Sequence, residues 1–215
     1  MLVRQAIEAQ KIWNPEITFD TASIEAAILP DVSRELLRHS PIHLLLTGFM
    51  GAGKTSVAKI LAERLGIACV DLDAEIEAET GHSISDIFKR DGEAAFRGIE
   101  HSLATRVLKQ NVSSVVAAGG GLVISKENQT MIRETNTLAL HLDAPFETLW
   151  ERVAGCATRP LLADRYRAEC LYAARQPVYH AFCDFAFNAA QSLSQLANNI
   201  TNQLSNTGVP HDSRP

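Results

Sequence analysis

The sequence predicts an α/β fold in which helices cover both faces of a parallel sheet. Two patterns carry this reading. From Ile42 onward, short apolar runs alternate with segments of helical period, the signature of strands that pair in parallel through helical crossovers. The residues able to do chemistry also fall just after the apolar runs, where an open parallel sheet binds its ligands.

Residues 1–41 precede the alternation and read as an N-terminal extension. Within it "TASIEAAILPDVSRELLRHS" has helical character, with Thr21 or Ser23 as cap and a kink at Pro30. Residues 42–206 form the main domain. "IHLLLT" is a buried-type strand, and "KTSVAKILAERLG" is an amphipathic helix ended by Gly66. "IACVDLD" is a second strand. "AEIEAETG", "SISDIFKRDG" and "EAAFRGIEHSLATRVLKQ" read as three successive helices. "SSVVAAGGG" is a strand that stops on glycines, "KENQTMIRETN" is helical, and "TLALHLD" is a strand. "PFETLWERVAG" is a helix, and "CATRPLLADRYRAE" is a loop passing into another. "ARQPVYHAFCDFAFN" reads as a helical turn and a short last strand. "AQSLSQLANNITNQLSN" is the final helix, and residues 207–215 read as a disordered tail.

With 46% apolar and 21% charged residues among 215, the chain can bury a core without a metal or disulfide to hold it. A net charge of −5 argues against nucleic acid as a partner. Cys69, Cys156, Cys170 and Cys183 form no C-x-x-C pair, so they read as free thiols in a reducing compartment. The amino terminus lacks the apolar stretch of a secretory signal, and no run is long enough to cross a membrane. A cytoplasmic monomer without membrane or nucleic-acid partners is therefore expected.

"GFMGAGKT", Gly48 to Thr55, fits G-x-x-x-x-G-K-[ST] with a strand before it and a helix after it. Gly48, Gly51 and Gly53 permit backbone angles that turn successive N–H groups inward, with Met50, Ala52 and Ser56 on the same loop. Lys54 can reach the β- and γ-phosphates of a nucleotide, and Thr55 can ligate Mg²⁺. The loop does not fit G-x-G-x-x-G, because Ser56 stands at the third glycine. A dinucleotide site is therefore disfavoured.

Asp71 and Asp73 end the second strand two residues apart, and they point the same way if the strand runs that far. One could hold a hydrated Mg²⁺, while the other orients an acceptor hydroxyl and takes its proton. The plain alternative is a pair of solvated carboxylates capping the next helix. Arg97 and Glu100 stand at i, i+3 on one helix, which alone most often means a surface ion pair. Gly119, Gly120 and Gly121 follow a strand and let a ligand or another backbone approach. Arg159 and Arg175 offer forks for carboxylate or phosphate, though each alone is more often a surface residue.

As a set, "GFMGAGKT", "DLD", "IFKRDGEAAFRGIE", "GGG" and "RPLL" followed by "RQPVY" resemble the shikimate kinase family over about Ile42 to Ser205. The resemblance implies ATP-dependent, Mg²⁺-assisted phosphorylation of the 3-hydroxyl of shikimate. It also implies the P-loop NTPase fold of the nucleoside monophosphate kinase type: a five-stranded parallel sheet, flanked by helices on both faces, with a lid. On that resemblance Asp73 binds the acceptor hydroxyl, and Asp71 joins Thr55 at the Mg²⁺. Arg97 and Arg175 clamp the shikimate carboxylate, and Glu100 holds Arg97. Gly119, Gly120 and Gly121 line the substrate. Arg159 swings onto the transferring phosphate with the lid, and Arg152 lies against the adenine. Lys54, Asp73 and Arg159 form the catalytic set. The segment "ADRYRAECLYAA" is shorter than in many members, and no aspartate precedes the glycines in the manner of a Walker B strand. A kinase of another small hydroxy acid such as gluconate, or a regulatory relative that binds ATP without turnover, are the alternatives.

Overall fold

The structure is a computed structural model that describes residues 41–153 and 164–207. Its elements in chain order are β1 (His43–Thr47), α1 (Lys54–Leu65), β2 (Ala68–Asp71), α2 (Leu72–Thr80), α3 (Ile84–Leu108) and β3 (Ser114–Ala117). A 3₁₀ turn at Leu122–Ile124 follows. Then come α4 (Lys126–Arg133), β4 (Thr137–Asp143), α5 (Phe146–Val153), α6 (Arg165–Phe182), β5 (Phe185–Asn188) and α7 (Leu193–Thr207).

The five strands are all parallel, in the order β2-β3-β1-β4-β5. β1 sits at the centre, with Leu45 opposite Val116 on one side and Ala139 on the other. Every residue of β1 and β3 is buried, as a strand covered on both faces requires. The edge strands β2 and β5 are partly exposed. α1 and α7 pack on each other, α1 reaching β1, β2 and β3 and α7 reaching β5. α3, α4 and α6 gather around the 3₁₀ turn, and α6 also meets β4. The core joins Leu45, Leu46, Leu61, Val116, Leu140 and Leu142, all fully buried, each side chain contributing about 1.5–3 kcal/mol. Among the described residues no helix is long and apolar enough to cross a membrane, and Cys69, Cys170 and Cys183 are free thiols. The helix expected over Thr21 to Ser40 and the whole of "CATRPLL", Cys156 included, lie outside the described residues.

Three local features differ from the pattern reading. The second strand stops at Asp71 rather than at Asp73. Asp71 instead caps α2, accepting from the amides of Asp73 at 3.1 Å and Ala74 at 3.2 Å, so Asp73 stands in the first helical turn. The helices over "SISDIFKRDG" and "EAAFRGIEHSLATRVLKQ" run together as α3, yet Gly92 at φ 83°, ψ 170° breaks the spiral between them. Finally, "ARQPVYHAF" is no isolated turn but the end of the 18-residue α6, which runs through Pro177. Proline removes the N–H that would meet the Ala173 carbonyl. Ala173 and Pro177 are both exposed, so water can serve that carbonyl instead.

Candidate functional site

The glycine-rich turn between β1 and α1 has the backbone its sequence demands. Gly48, Gly51 and Gly53 have φ of 142°, 80° and 84°, values that L side chains rarely adopt. The space is closed as well. A Cβ on Gly48 would lie 2.6 Å from the Leu142 carbonyl oxygen, and one on Gly51 would lie 2.5 Å from that of Leu149. Met50 and Ala52 bury their side chains in the core, which leaves their main chain for a ligand. Ser56, the third residue of α1, is exposed.

α1 begins in a way that suits an anion. Gly53 provides no side-chain cap, and the first turn carries no acidic residue. Its leading N–H groups and the positive end of the helix are thus left for an outside acceptor. Lys54 occupies the first helical position, where a cation is unfavourable to the helix dipole. Its Nζ donates to the carbonyls of Gly48 at 2.9 Å and Phe49 at 3.1 Å, holding the charge over the loop. Thr55 Oγ1 donates to Asp71 Oδ2 at 2.6 Å. A hydroxyl and a carboxylate side by side at the loop are the hard oxygen donors that Mg²⁺ prefers, so these residues fit the ion. Arg152, in the last turn of α5, donates to the Gly51 carbonyl at 3.4 Å.

On the other side, the triple glycine gathers the remaining charged groups. A Cβ on Gly119 would lie 2.6 Å from Glu100 Oε1 and 2.9 Å from Asp73 Oδ1. One on Gly121 would lie 2.6 Å from Arg97 Cζ. One on Gly120 would meet the Gly48 carbonyl oxygen at 3.4 Å and Arg175 Nη1 at 3.5 Å. The turn after β3 is thereby pressed between α2, α3, α6 and the phosphate loop, with no room for a side chain at Gly119 or Gly121 unless a neighbour shifts.

The Arg97–Glu100 pair is not the surface contact its spacing suggests. Glu100 is 1% exposed, and its Oε2 accepts from Arg97 Nη1 at 2.7 Å. Glu100 Oε1 is buried without a hydrogen-bond partner. Burial raises the pKa of Glu100 against the opposing charge of Arg97, with Asp73 raising it further and Arg175 lowering it. For Arg97, burial works against the charge, but Glu100 and Glu93 outweigh it and raise the pKa. Its guanidinium also lies over the Phe96 ring at 5.1 Å and donates to Glu93 Oε1 at 2.9 Å.

Tyr179 completes this side. Its hydroxyl donates to the Gly120 carbonyl at 2.6 Å. Burial pushes its pKa up to about 12, with the Arg175 guanidinium beside it pulling the other way. Sequence reasoning passed over Tyr179, Glu93 and Leu193. Tyr179 stands one helical turn after Arg175, the spacing at which two helix residues meet. Leu193 opens α7, and its Cδ2 would lie 3.1 Å from a Cβ on Gly53. Nothing in its local sequence sets Leu193 apart. The structure thus brings Asp73, Arg97, Glu100, Gly119, Gly120, Gly121 and Arg175 together beside the phosphate loop. Arg159 lies outside the described residues.

Comparison with known proteins gives the family of the chain. The family described as "Shikimate kinase" matches residues 50–205. A shikimate kinase of Persephonella marina is 40% identical over 164 residues, 75% of this chain and 98% of the relative. One from Ruegeria pomeroyi is 44% identical over 139 residues, covering 63% of this chain and 70% of the relative. Among solved structures, the shikimate kinase of Acinetobacter baumannii in complex with shikimate superposes with a TM-score of 0.76 at 29% identity, covering 82% of this chain and 99% of that one. With the family matched over residues 50–205 and relatives of about 40% identity spanning most of the chain, neither a gluconate kinase nor a turnover-deficient relative is needed to account for the fold and its phosphate loop: the chain belongs to the shikimate kinase family.

Proposed function

We propose that the cleft between the phosphate loop and the triple-glycine turn is where this chain moves the γ-phosphoryl group of ATP to the 3-hydroxyl of shikimate, giving shikimate 3-phosphate and ADP. One observation carries the reading: Asp73, Glu100 and the guanidinium groups of Arg97 and Arg175 all crowd Gly119 to Gly121, and Gly120 itself abuts the Gly48 carbonyl. An acid, a cationic fork and a phosphate cradle therefore share one cleft.

Each residue has a task that its surroundings support. Arg97 and Arg175 grip the carboxylate of shikimate, since guanidinium forks read carboxylates with two parallel bonds. Glu100, buried and bound to Arg97, fixes the direction of one fork. Tyr179 holds Arg175 and the Gly120 carbonyl in register. Asp73 accepts a hydrogen bond from the 3-hydroxyl and takes its proton as that oxygen bonds to the γ-phosphorus. The bond from that phosphorus to the bridging oxygen breaks, and ADP departs with the electron pair. Lys54 leaves the Gly48 and Phe49 carbonyls to follow the charge of the transferring group. The amides of Gly51, Gly53, Lys54 and Thr55 hold the phosphates, and Arg152 flanks the adenine. For Arg159, outside the described residues, contact with the transferring phosphate rests on the family resemblance alone. Thr55 and Asp71 would hold Mg²⁺, which supplies charge neutralisation at the phosphate oxygens when bound. The protein's part is alignment, charge and exclusion of water.

We extend the proposal to residues 42–206 as the catalytic domain of a cytoplasmic monomer, since every residue assigned to the reaction falls inside that span. The test is phosphate transfer from ATP to shikimate with Mg²⁺, run beside Asp73→Asn. Transfer by the parent and a rate at least a hundredfold lower in the variant, with nucleotide binding retained, is expected from loss of a general base. Equal rates would refute the role of Asp73.

A further inference from the structure

A second polar cluster lies outside the assigned site, where the end of β4 faces α6. His141 and Asp143 point from alternate positions of β4, and His180 comes from α6. His141 Nε2 lies 3.7 Å from Asp143 Oδ1, and His180 Nε2 lies 3.3 Å from Asp143 Oδ2. One ligand atom from each residue falls within 4.8 Å of the others, and among the described residues no other trio of metal-binding side chains does so. Neighbouring ligands of a tetrahedral metal with bonds of about 2.0–2.1 Å stand roughly 3.3 Å apart. Gln176, one turn before His180, adds a further oxygen. Its Oε1 is 3.2 Å from His141 Nε2, and its Nε2 donates to Asp143 Oδ1 at 3.1 Å.

We propose that His141, Asp143 and His180, with Gln176 beside them, bind a divalent transition metal of the zinc type and so tie α6 to the end of β4. Two imidazoles and a carboxylate suit such an ion better than Mg²⁺, which favours oxygen and keeps its water. Access and depth are both present: His180 is half-exposed, whereas His141 is fully buried. The other ring nitrogen of His141, Nδ1, is buried without a hydrogen-bond partner of ordinary geometry. Coordination through Nε2 would assign the ring proton to that side, facing the Thr47 carbonyl that already acts on the ring. Occupancy matters to the rest of the molecule because α6 also carries Arg175 and Tyr179. In addition, a Cβ on Gly48 would lie only 3.5 Å from His141 Nδ1. Metal at this point would brace the carboxylate grip and the back of the phosphate loop together.

The experiment uses the full chain, stripped with chelator and titrated calorimetrically with Zn²⁺ in buffer free of Mg²⁺ and nucleotide. One saturable equivalent is expected, lost in His180→Ala and in Asp143→Asn while Asp71→Asn retains it. Free zinc at a hundredfold excess over Kd should raise the parent's Tm by roughly 5–10 °C. On the unsubstituted protein, the ring ¹⁵N resonances of His141 and His180 should move with zinc. Absence of saturable binding, survival of the equivalent in both β4–α6 variants, its loss in Asp71→Asn, or shifts at other histidines alone would each overturn the site.

Discussion

Replacing Gly121 by alanine isolates the position of Arg97 from every other property of the cleft. Gly121 has φ −102° and ψ −15°, a conformation that alanine adopts without strain. The substitution therefore tests space alone. The new methyl would sit 2.6 Å from Arg97 Cζ and closer still to Nη1, where ordinary contact begins at 3.4 Å, so the guanidinium must retreat by about 1 Å or swing outward. Arg97 is 30% exposed, so it has solvent to move into. The fold survives for the same reason, and Glu100, whose pKa is already raised by burial, can take up a proton once its partner leaves. What is lost is the carboxylate grip. A hydrogen bond to a charged group contributes about 1.5–3 kcal/mol, and 1.4 kcal/mol is tenfold. The KM for shikimate should therefore rise roughly 10- to 100-fold, with kcat reduced less and the KM for ATP unchanged. A coupled assay of ADP release, titrating each substrate in turn, reads all three quantities. An unchanged KM for shikimate, or a loss confined to ATP, would show that Arg97 does not read the acid group.

Three further outcomes are expected. Lys54→Met should nearly abolish transfer while shikimate binding, followed by tryptophan fluorescence or calorimetry, stays within a fewfold of the parent; normal turnover would remove Lys54 from the mechanism. Thr55→Ala, which deletes the hydroxyl bound to Asp71, should raise the Mg²⁺ concentration for half-maximal rate about tenfold or more, in line with one lost ligand. An unchanged Mg²⁺ dependence would place the ion elsewhere. Glu100→Gln tests the buried acid through pH. The folded pKa of Glu100 is raised above its ordinary 4.5, so the native state holds a proton that the unfolded chain releases. Stability from this group is complete below 4.5 and declines as pH climbs toward the folded pKa. Urea denaturation from pH 4 upward should show the parent losing ground to Glu100→Gln across that window, and parallel curves would contradict the raised pKa.

The sheet and the phosphate loop were legible because their signals are local. A strand covered on both faces is mostly apolar, and Leu44 to Leu46 and Val115 to Ala117 give that signal over a few residues. A loop that turns its amides onto an anion must place glycine at Gly48, Gly51 and Gly53, where the observed φ values exclude side chains. Depth was not legible. The i, i+3 spacing of Arg97 and Glu100 is the same on a wet surface as under a lid of glycines, and only the packing of Gly119 and Gly121 against them separates the two. The end of β2 escaped for a related reason. "DLD" alternates like a strand, but Asp71 finds two amides to cap, and a capped helix start outcompetes two more strand residues. Pro177 misled in the opposite direction, since a proline can sit inside a helix where the freed carbonyl, here on the exposed side at Ala173, is open to water. The cluster of His141, Asp143 and His180 joins residues 39 positions apart in sequence, a distance at which no spacing rule could link them.

The most direct test of the central claim is a crystal structure of this chain with shikimate and a non-hydrolysable ATP analogue bound. The account predicts the shikimate carboxylate between Arg97 and Arg175, the 3-hydroxyl on Asp73, and the γ-phosphate over the amides beside Lys54. A carboxylate turned toward Arg152, or a 3-hydroxyl out of reach of Asp73, would contradict it.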